Sequence, residues 1–118
     1  MPWLIPAPTT VPVPGGKVIH EYAGRVNTGT ADVSVAHMKA PAGWSEPFQT
    51  PAFDEYTIVL AGTVLIDHDG GTLRVAAGQG VVTRAGERIR YSCGRDGAEY
   101  IAVCLPAFSP DTVHRDED

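Results

Sequence analysis

Several things are scarce in this chain, and each scarcity closes off a class of function. There are two cysteines, Cys93 and Cys104, and neither sits in a CxxC pair, so a thiolate zinc site is not expected. If the stretch CGRDGA is a hairpin turn, Cys93 faces about Ala98, and Cys104 lies about six residues further along the neighbouring strand. At ~3.3 Å per residue that separation is about 20 Å, beyond disulfide reach. Both are expected to be free thiols of a reducing compartment. Lysine is scarcer still in proportion: two residues against seven arginines, with no basic run and a net charge of −5. Nucleic-acid binding leans on neutralising phosphates, so no nucleic-acid partner is expected. The acids are scattered apart from a C-terminal RDED, and we read the charge as solubility.

Long apolar runs are missing too. Nothing approaches the ~18–20 residues of a membrane span. The opening MPWLIPAPTTVPVPGG has no basic segment followed by an apolar one, so no secretory signal is read there and a cytoplasmic protein is expected. No window carries a 3.6-residue apolar period bounded by helix caps.

What remains is strand and turn. The 118 residues fit one domain with a core of its own. Residues 1–16 hold five of the ten prolines and read as an extended arm. Residues 17–106 read as about eight short strands separated by NTGT, PAGW, HDGG, AAGQG, RAGE and GRDG, with Asp69-Gly70 and Asp96-Gly97 as hairpin signals. Residues 107–118 read as a polar tail lying over the surface. This spacing predicts an all-β barrel or sandwich.

Two stretches carry a family resemblance. Gly43, Gln49, Pro51, Glu55 and Gly62 occupy the spacing of G-x5-H-x-H-x3-E-x6-G, and Gly78, Arg84, Gly86, Ile89 and Cys93 that of G-x5-P-x-G-x2-H-x3-N. In that order they resemble the two motifs of the cupin superfamily, over roughly residues 30–106. The resemblance implies a small jelly-roll β-barrel, here with an N-terminal extended arm. The family's three metal-binding histidines are replaced by Gln49, Pro51 and Ile89, and only the glutamate, Glu55, is kept. In this the chain is similar to the cupins of ethanolamine-utilisation operons. Proline and isoleucine offer no side-chain ligand, so neither metal nor other cofactor is expected.

Strand alternation from Glu55 sends Glu55, Thr57 and Val59 inward, and Ile89, Tyr91 and Cys93 with them. A carboxyl among such neighbours, with no metal, is costly to ionise, and its pKa should rise towards neutrality. Glu55 is therefore the candidate catalytic acid or base; the other reading is a hydrogen-bonded structural acid. Tyr91 is read as a weak acid or stacking wall, or as core. His37 is read as a partner for Glu55, because Val33, Val35 and His37 form the bulkier and hence inner set, or as structural. Gln49, Trp44, Phe48, Thr57 and Ile89 are the candidate substrate-binding residues.

The function expected is a metal-independent cupin that binds a small organic molecule in the barrel and moves a proton with Glu55, as isomerases, lyases, dehydratases and cyclases do. One alternative is a binding or sensing module without chemistry. A third keeps a divalent metal on a remodelled set of Glu55, His37, Gln49 and His114. A homodimer is expected, with the arm carrying Trp3, Leu4 and Ile5 as a strand for exchange; the alternative is an arm that covers the edge of its own barrel.

Overall fold

The structure is a computed structural model and describes residues 1–116; Glu117 and Asp118, half of the RDED cluster, lie outside the described residues. Seven strands form one antiparallel sheet: β1 (Thr9–Val11), β2 (Val18–Ala23), β3 (Ser34–Ala40), β4 (Asp54–His68), β5 (Gly71–Ala76), β6 (Gly80–Thr83) and β7 (Arg90–Leu105). A single 3-10 turn, Pro110–Thr112, follows. Among the described residues no helix is long and apolar enough to cross a membrane.

The spine is the long pair β4–β7. Its upper half runs from Asp54↔Leu105 to Val59↔Tyr100, and its lower half from Val64↔Cys93 to Asp67↔Arg90. Between these the register slips twice and the pair bends from one layer into the other. On its outer edge β7 takes β3, then β2 and β1. The free edge of β4 takes β6 beside residues 55–58 and β5 beside residues 63–68. The arrangement is jelly-roll-like and all-β.

Two expectations are corrected here. The closed barrel is not formed: the strand path β1-β2-β3-β7-β4-β5 has two ends, and no ladder among the described residues joins β5 or β6 to β1. One edge of β4 serves two short strands in succession, so the path ends at β5 and β6 instead of returning to β1. Nor is CGRDGA a hairpin. Residues 93 and 98 both pair with β4, and the intervening residues bulge out of one continuous strand. A glycine cluster within an apolar pattern reads as a turn, but here it lets two long strands bend together. Asp69-Gly70 does make the expected two-residue turn, with His68 opposite Gly71.

The bend fixes Gly62. Its φ is +72°, and a Cβ there would collide with the carbonyl oxygen of Gly97. The core lies under the bend: Val59, Val64, Ile66, Val75, Ile89, Tyr91 and Tyr100 are buried together. The segment before β4 runs beside the lower half of β7, with Glu46 N–H donating to Tyr91 O and Cys93 N–H to Trp44 O.

The arm's β1 pairs with β2 of its own chain, Thr9 opposite Glu21, while Trp3 and Leu4 are exposed. The tail does more than lie over the surface. Thr50 N–H donates to His114 O and Ala52 N–H to Thr112 O, and Val113, 1% exposed, packs with Phe53, Phe108 and Cys104. The polar composition of residues 107–118 concealed these apolar anchors, Val113 and Phe108.

Gly43 has a similar φ, +73°, but open space where its Cβ would go. Gly43→Ala should therefore lose only the left-handed backbone penalty of about 1–2 kcal/mol, and Gly62→Ala at least twice as much. Denaturant unfolding of the two variants decides this, and equal losses would contradict the close approach.

Candidate functional site

Glu55 opens β4, which starts beside the end of β7 and beside β6, so its side chain enters the space between the layers. It is buried, at 9% exposure, and Thr57 Oγ1 donates to its Oε2 at 3.3 Å. Tyr91, on the lower half of β7, shares its hydroxyl with Thr83 Oγ1 at 3.1 Å. Tyr100, on the upper half, is 1% exposed, and its hydroxyl is the one buried side-chain polar atom without a hydrogen-bond partner among the described residues. Gln49 completes this wall, its backbone doubly bonded to Ile89 at 2.9 Å each way. Together these residues line an inner cavity of about 40 Å³.

Above it lies a wider mouth of about 230 Å³, bounded by residues 13–15, Trp44 and Pro47. Lys17, Ile19, Glu46 and Arg115 border both spaces, so the two read as one funnel. Lys17 Nζ sits 4.3 Å from the Trp44 ring centre and 5.3 Å from that of Tyr100, held over both π-faces. Glu46 Oε2 accepts the backbone N–H of Tyr91 at 3.2 Å.

The electrostatics follow from the scarcity of water. Burial pushes the Glu55 carboxyl above its ordinary range, opposed by the nearby Lys17 ammonium and by hydrogen bonds from Thr57, Cys104 and Tyr91. Burial likewise raises Glu46 from the ordinary 4.5 to about 7, against the pull of Lys17 and of the Tyr91 amide. Lys17 is lowered, chiefly by burial, although Glu46 and Glu55 favour its charge. Burial and the neighbouring Glu55 carry both phenols well above 10, so Tyr91 and Tyr100 stay neutral donors.

The sequence candidates fare unevenly. Glu55, Tyr91 and Gln49 line the inner cavity and Trp44 the mouth. Thr57 stands behind Glu55 as its hydrogen-bond donor, and Ile89 is packed into the core. Phe48 does not line the funnel; the Arg88 and Arg90 guanidiniums cover its ring at 4.0 and 4.8 Å.

His37 is a correction. The inner residues of β3 are Ser34, Ala36, Met38 and Ala40, and His37 lies on the other face, Nε2 to Glu99 Oε2 at 2.6 Å. Bulk misled the assignment: the inside is filled by Tyr100, opposite Met38, which leaves room only for Ala36 and Ala102. The outside, in contrast, carries apolar Val35 against Val103. With His37 outside and His114 exposed, the remodelled metal set does not converge. No group of three or more His, Cys, Asp or Glu among the described residues does so.

Lys17 and Glu46 escaped the sequence reading. Lys17 precedes β2 on the same side as the buried Ile19 and Glu21, so strand alternation was the signal that could have turned it inward, whereas Glu46 lies in a loop that no alternating pattern reaches.

The fold is cupin-like, as comparison with solved structures shows. The chain superposes on oxalate decarboxylase of Bacillus subtilis with a TM-score of 0.76 and 16% identity, covering 96% of this chain and 31% of that one. KdgF from a Halomonas species matches with a TM-score of 0.70 and 17% identity over 85% of this chain and 89% of that one. The EutQ protein of Clostridium difficile gives 0.61 and 21% over 80% and 72%. Among curated proteins the chain is similar to the endoribonuclease YbeY of Myxococcus xanthus, 43% identical over 105 residues, which make up 88% of this chain and 36% of that protein. The chain thus spans about a third of that relative's length. No family model matches.

The acids give a testable pH dependence. Glu46 keeps its proton to about pH 7 when folded and releases it at its ordinary 4.5 when unfolded. The native state therefore binds more protons across that interval, and stability present below pH 4.5 is lost as pH rises through 7. Glu46→Gln should reduce this loss by on the order of 2 kcal/mol, read by denaturant unfolding at pH 4.5 and 7.5. An unchanged loss would contradict the burial of Glu46.

Proposed function

We propose that the funnel binds a small organic molecule and that Glu55 moves a proton on it without a metal. The observation that supports this is a buried carboxyl with a raised pKa facing a cavity whose other wall is an unpartnered phenol. In its ionised form Glu55 takes a proton from the carbon next to a carbonyl. The electron pair moves onto the carbonyl oxygen, which the Tyr100 hydroxyl stabilises by hydrogen bonding. Where the deprotonated carbon carries a hydroxyl, transfer of that hydroxyl's proton to the former carbonyl oxygen and return of the proton from Glu55 to the former carbonyl carbon complete an isomerisation. Where a group leaves with its electron pair from the next carbon as the carbonyl re-forms, taking up the proton from Glu55, an elimination is completed. Gln49 and Tyr91 orient the substrate. Lys17 counters the charge that Glu55 carries before the transfer.

The endoribonuclease activity named for the Myxococcus xanthus protein is not carried over. The likeness covers 36% of that protein, and the net charge of −5 here opposes an RNA backbone.

Pyruvate and dihydroxyacetone serve as carbonyl probes for the test. In D2O, proton NMR should show the wild-type protein accelerating loss of their carbon-bound hydrogens beside the carbonyl. Glu55→Gln should slow that exchange by about 10²–10⁴-fold. If wild type and variant exchange both probes alike, the proton-transfer role is refuted. Unchanged exchange, with probe binding retained in both proteins, would leave a binding module.

A further inference from the structure

The funnel contains a cation that enters no ion pair among the described residues. The ion pairs among the described residues are His37–Glu99, Arg84–Asp54, Arg88–Asp116 and Arg90–Asp67. Lys17 is in none of them; its ammonium lies over the faces of Trp44 and Tyr100, with Glu46 and Glu55 close enough to favour its charge. An ammonium has three N–H donors and is expensive to strip of water without acceptors. An unpartnered donor, the Tyr100 hydroxyl, lies deeper along the same wall. Arg115, brought to the mouth by the tail's pairing with Gln49, adds positive charge at the rim.

A part-buried ammonium outside any ion pair and a buried hydroxyl without a partner, both facing one funnel, describe the complement of a ligand. We infer that the funnel takes a small hydroxy or oxo carboxylic acid, its carboxylate on the Lys17 ammonium and its hydroxyl or carbonyl oxygen on the Tyr100 hydroxyl. This rests on the reading of the funnel as a small-molecule site and adds the class of ligand. The inner cavity of about 40 Å³ admits the short end of such a molecule, and the mouth of about 230 Å³ leaves room for a chain or ring beyond it.

The two acids facing the same space do not oppose this. Glu46 and Glu55 would repel a carboxylate if both were ionised, but burial favours their neutral forms. Burial disfavours the charge of Lys17 as well, and a ligand carboxylate beside the ammonium restores it, with the Arg115 guanidinium adding to it at the rim. An amine, by contrast, would meet Lys17 and Arg115 as like charges. The geometry also separates the roles of the two ends: Lys17 holds the carboxylate at the throat, while the oxygen beside Tyr100 lies next to Glu55.

Lactate and lactamide, alike in shape and differing in charge, are the probes. With the full-length protein, calorimetric and NMR titrations should show lactate binding one to one and at least tenfold more tightly than lactamide. The side-chain nitrogen signal of Lys17, read in the wild-type protein, should move with lactate and stay with lactamide. Lys17→Met, which keeps the packing against the rings, should lose at least tenfold for lactate and nothing for lactamide, and Lys17→Arg should recover most of the loss. Tyr100→Phe should weaken both probes about fivefold, as loss of one hydrogen bond does. Equal affinities for the two probes, or a Lys17 signal indifferent to lactate, would overturn the carboxylate class while leaving the funnel as a site for neutral molecules. Failure of both probes to perturb the funnel at 50 mM would overturn the class as well. The role of Glu55 would then rest on its own exchange measurement.

Discussion

The bent pairing of β4 with β7 is the constraint on which the rest depends. Because both strands stay paired through the bend, one edge of the cavity is built from their upper halves and the other from the lower half of β7. Tyr100 and Tyr91, nine positions apart on one strand, thus come to line the same space as Glu55 at the opening of the other. The bend needs a residue without a Cβ where β4 meets the Gly97 carbonyl, which is why Gly62 ends the first motif. Local backbone chemistry at the glycine therefore sets the position of an acid seven residues away.

Once the acid is placed there, its surroundings decide its chemistry. A carboxyl shielded from water holds its proton longer than it does in solution, even where hydrogen bonds partly favour its charge. Lys17 moderates this effect without removing it, since it is itself partly stripped of water and lowered in turn. The result is three groups, Lys17, Glu46 and Glu55, whose charges depend on one another and on whatever enters the funnel. Coupling of this kind is common where proton transfer is performed, and it is a poor way to hold a fold together, because each buried ionisable group destabilises the native state unless partnered.

Much of this was legible in the sequence, for identifiable reasons. The alternation Glu55, Thr57, Val59 against Tyr56, Ile58, Leu60 assigned faces correctly because the strand is long and its inner members include the one acid. The glycine spacing pointed to a cupin-like fold, and the solved structures agree. The closed barrel, the hairpin at residues 93–98 and the inward His37 did not hold. Each failed because a local signal was overridden by packing: a shared strand edge on β4, a bulge within β7, and an interior already filled by Tyr100. Glu46, Arg115 and the Val113 anchor were illegible for another reason. They stand in loops or termini, where periodicity assigns no direction, and only tertiary placement brings them to the funnel or the core.

The central claim is that Glu55 holds its proton above the range of an ordinary glutamate because burial outweighs the nearby Lys17 ammonium and the hydrogen bonds that favour its charge. Carbon-13 NMR of the Glu55 side-chain carboxyl, followed from pH 3 to pH 9 in the ligand-free protein, measures this directly. A midpoint clearly above the ~4.3 of a free glutamate is the expected result. A midpoint at or below that value would mean that water or a neighbouring charge already stabilises the carboxylate, and the proton-transfer role would lose its physical basis.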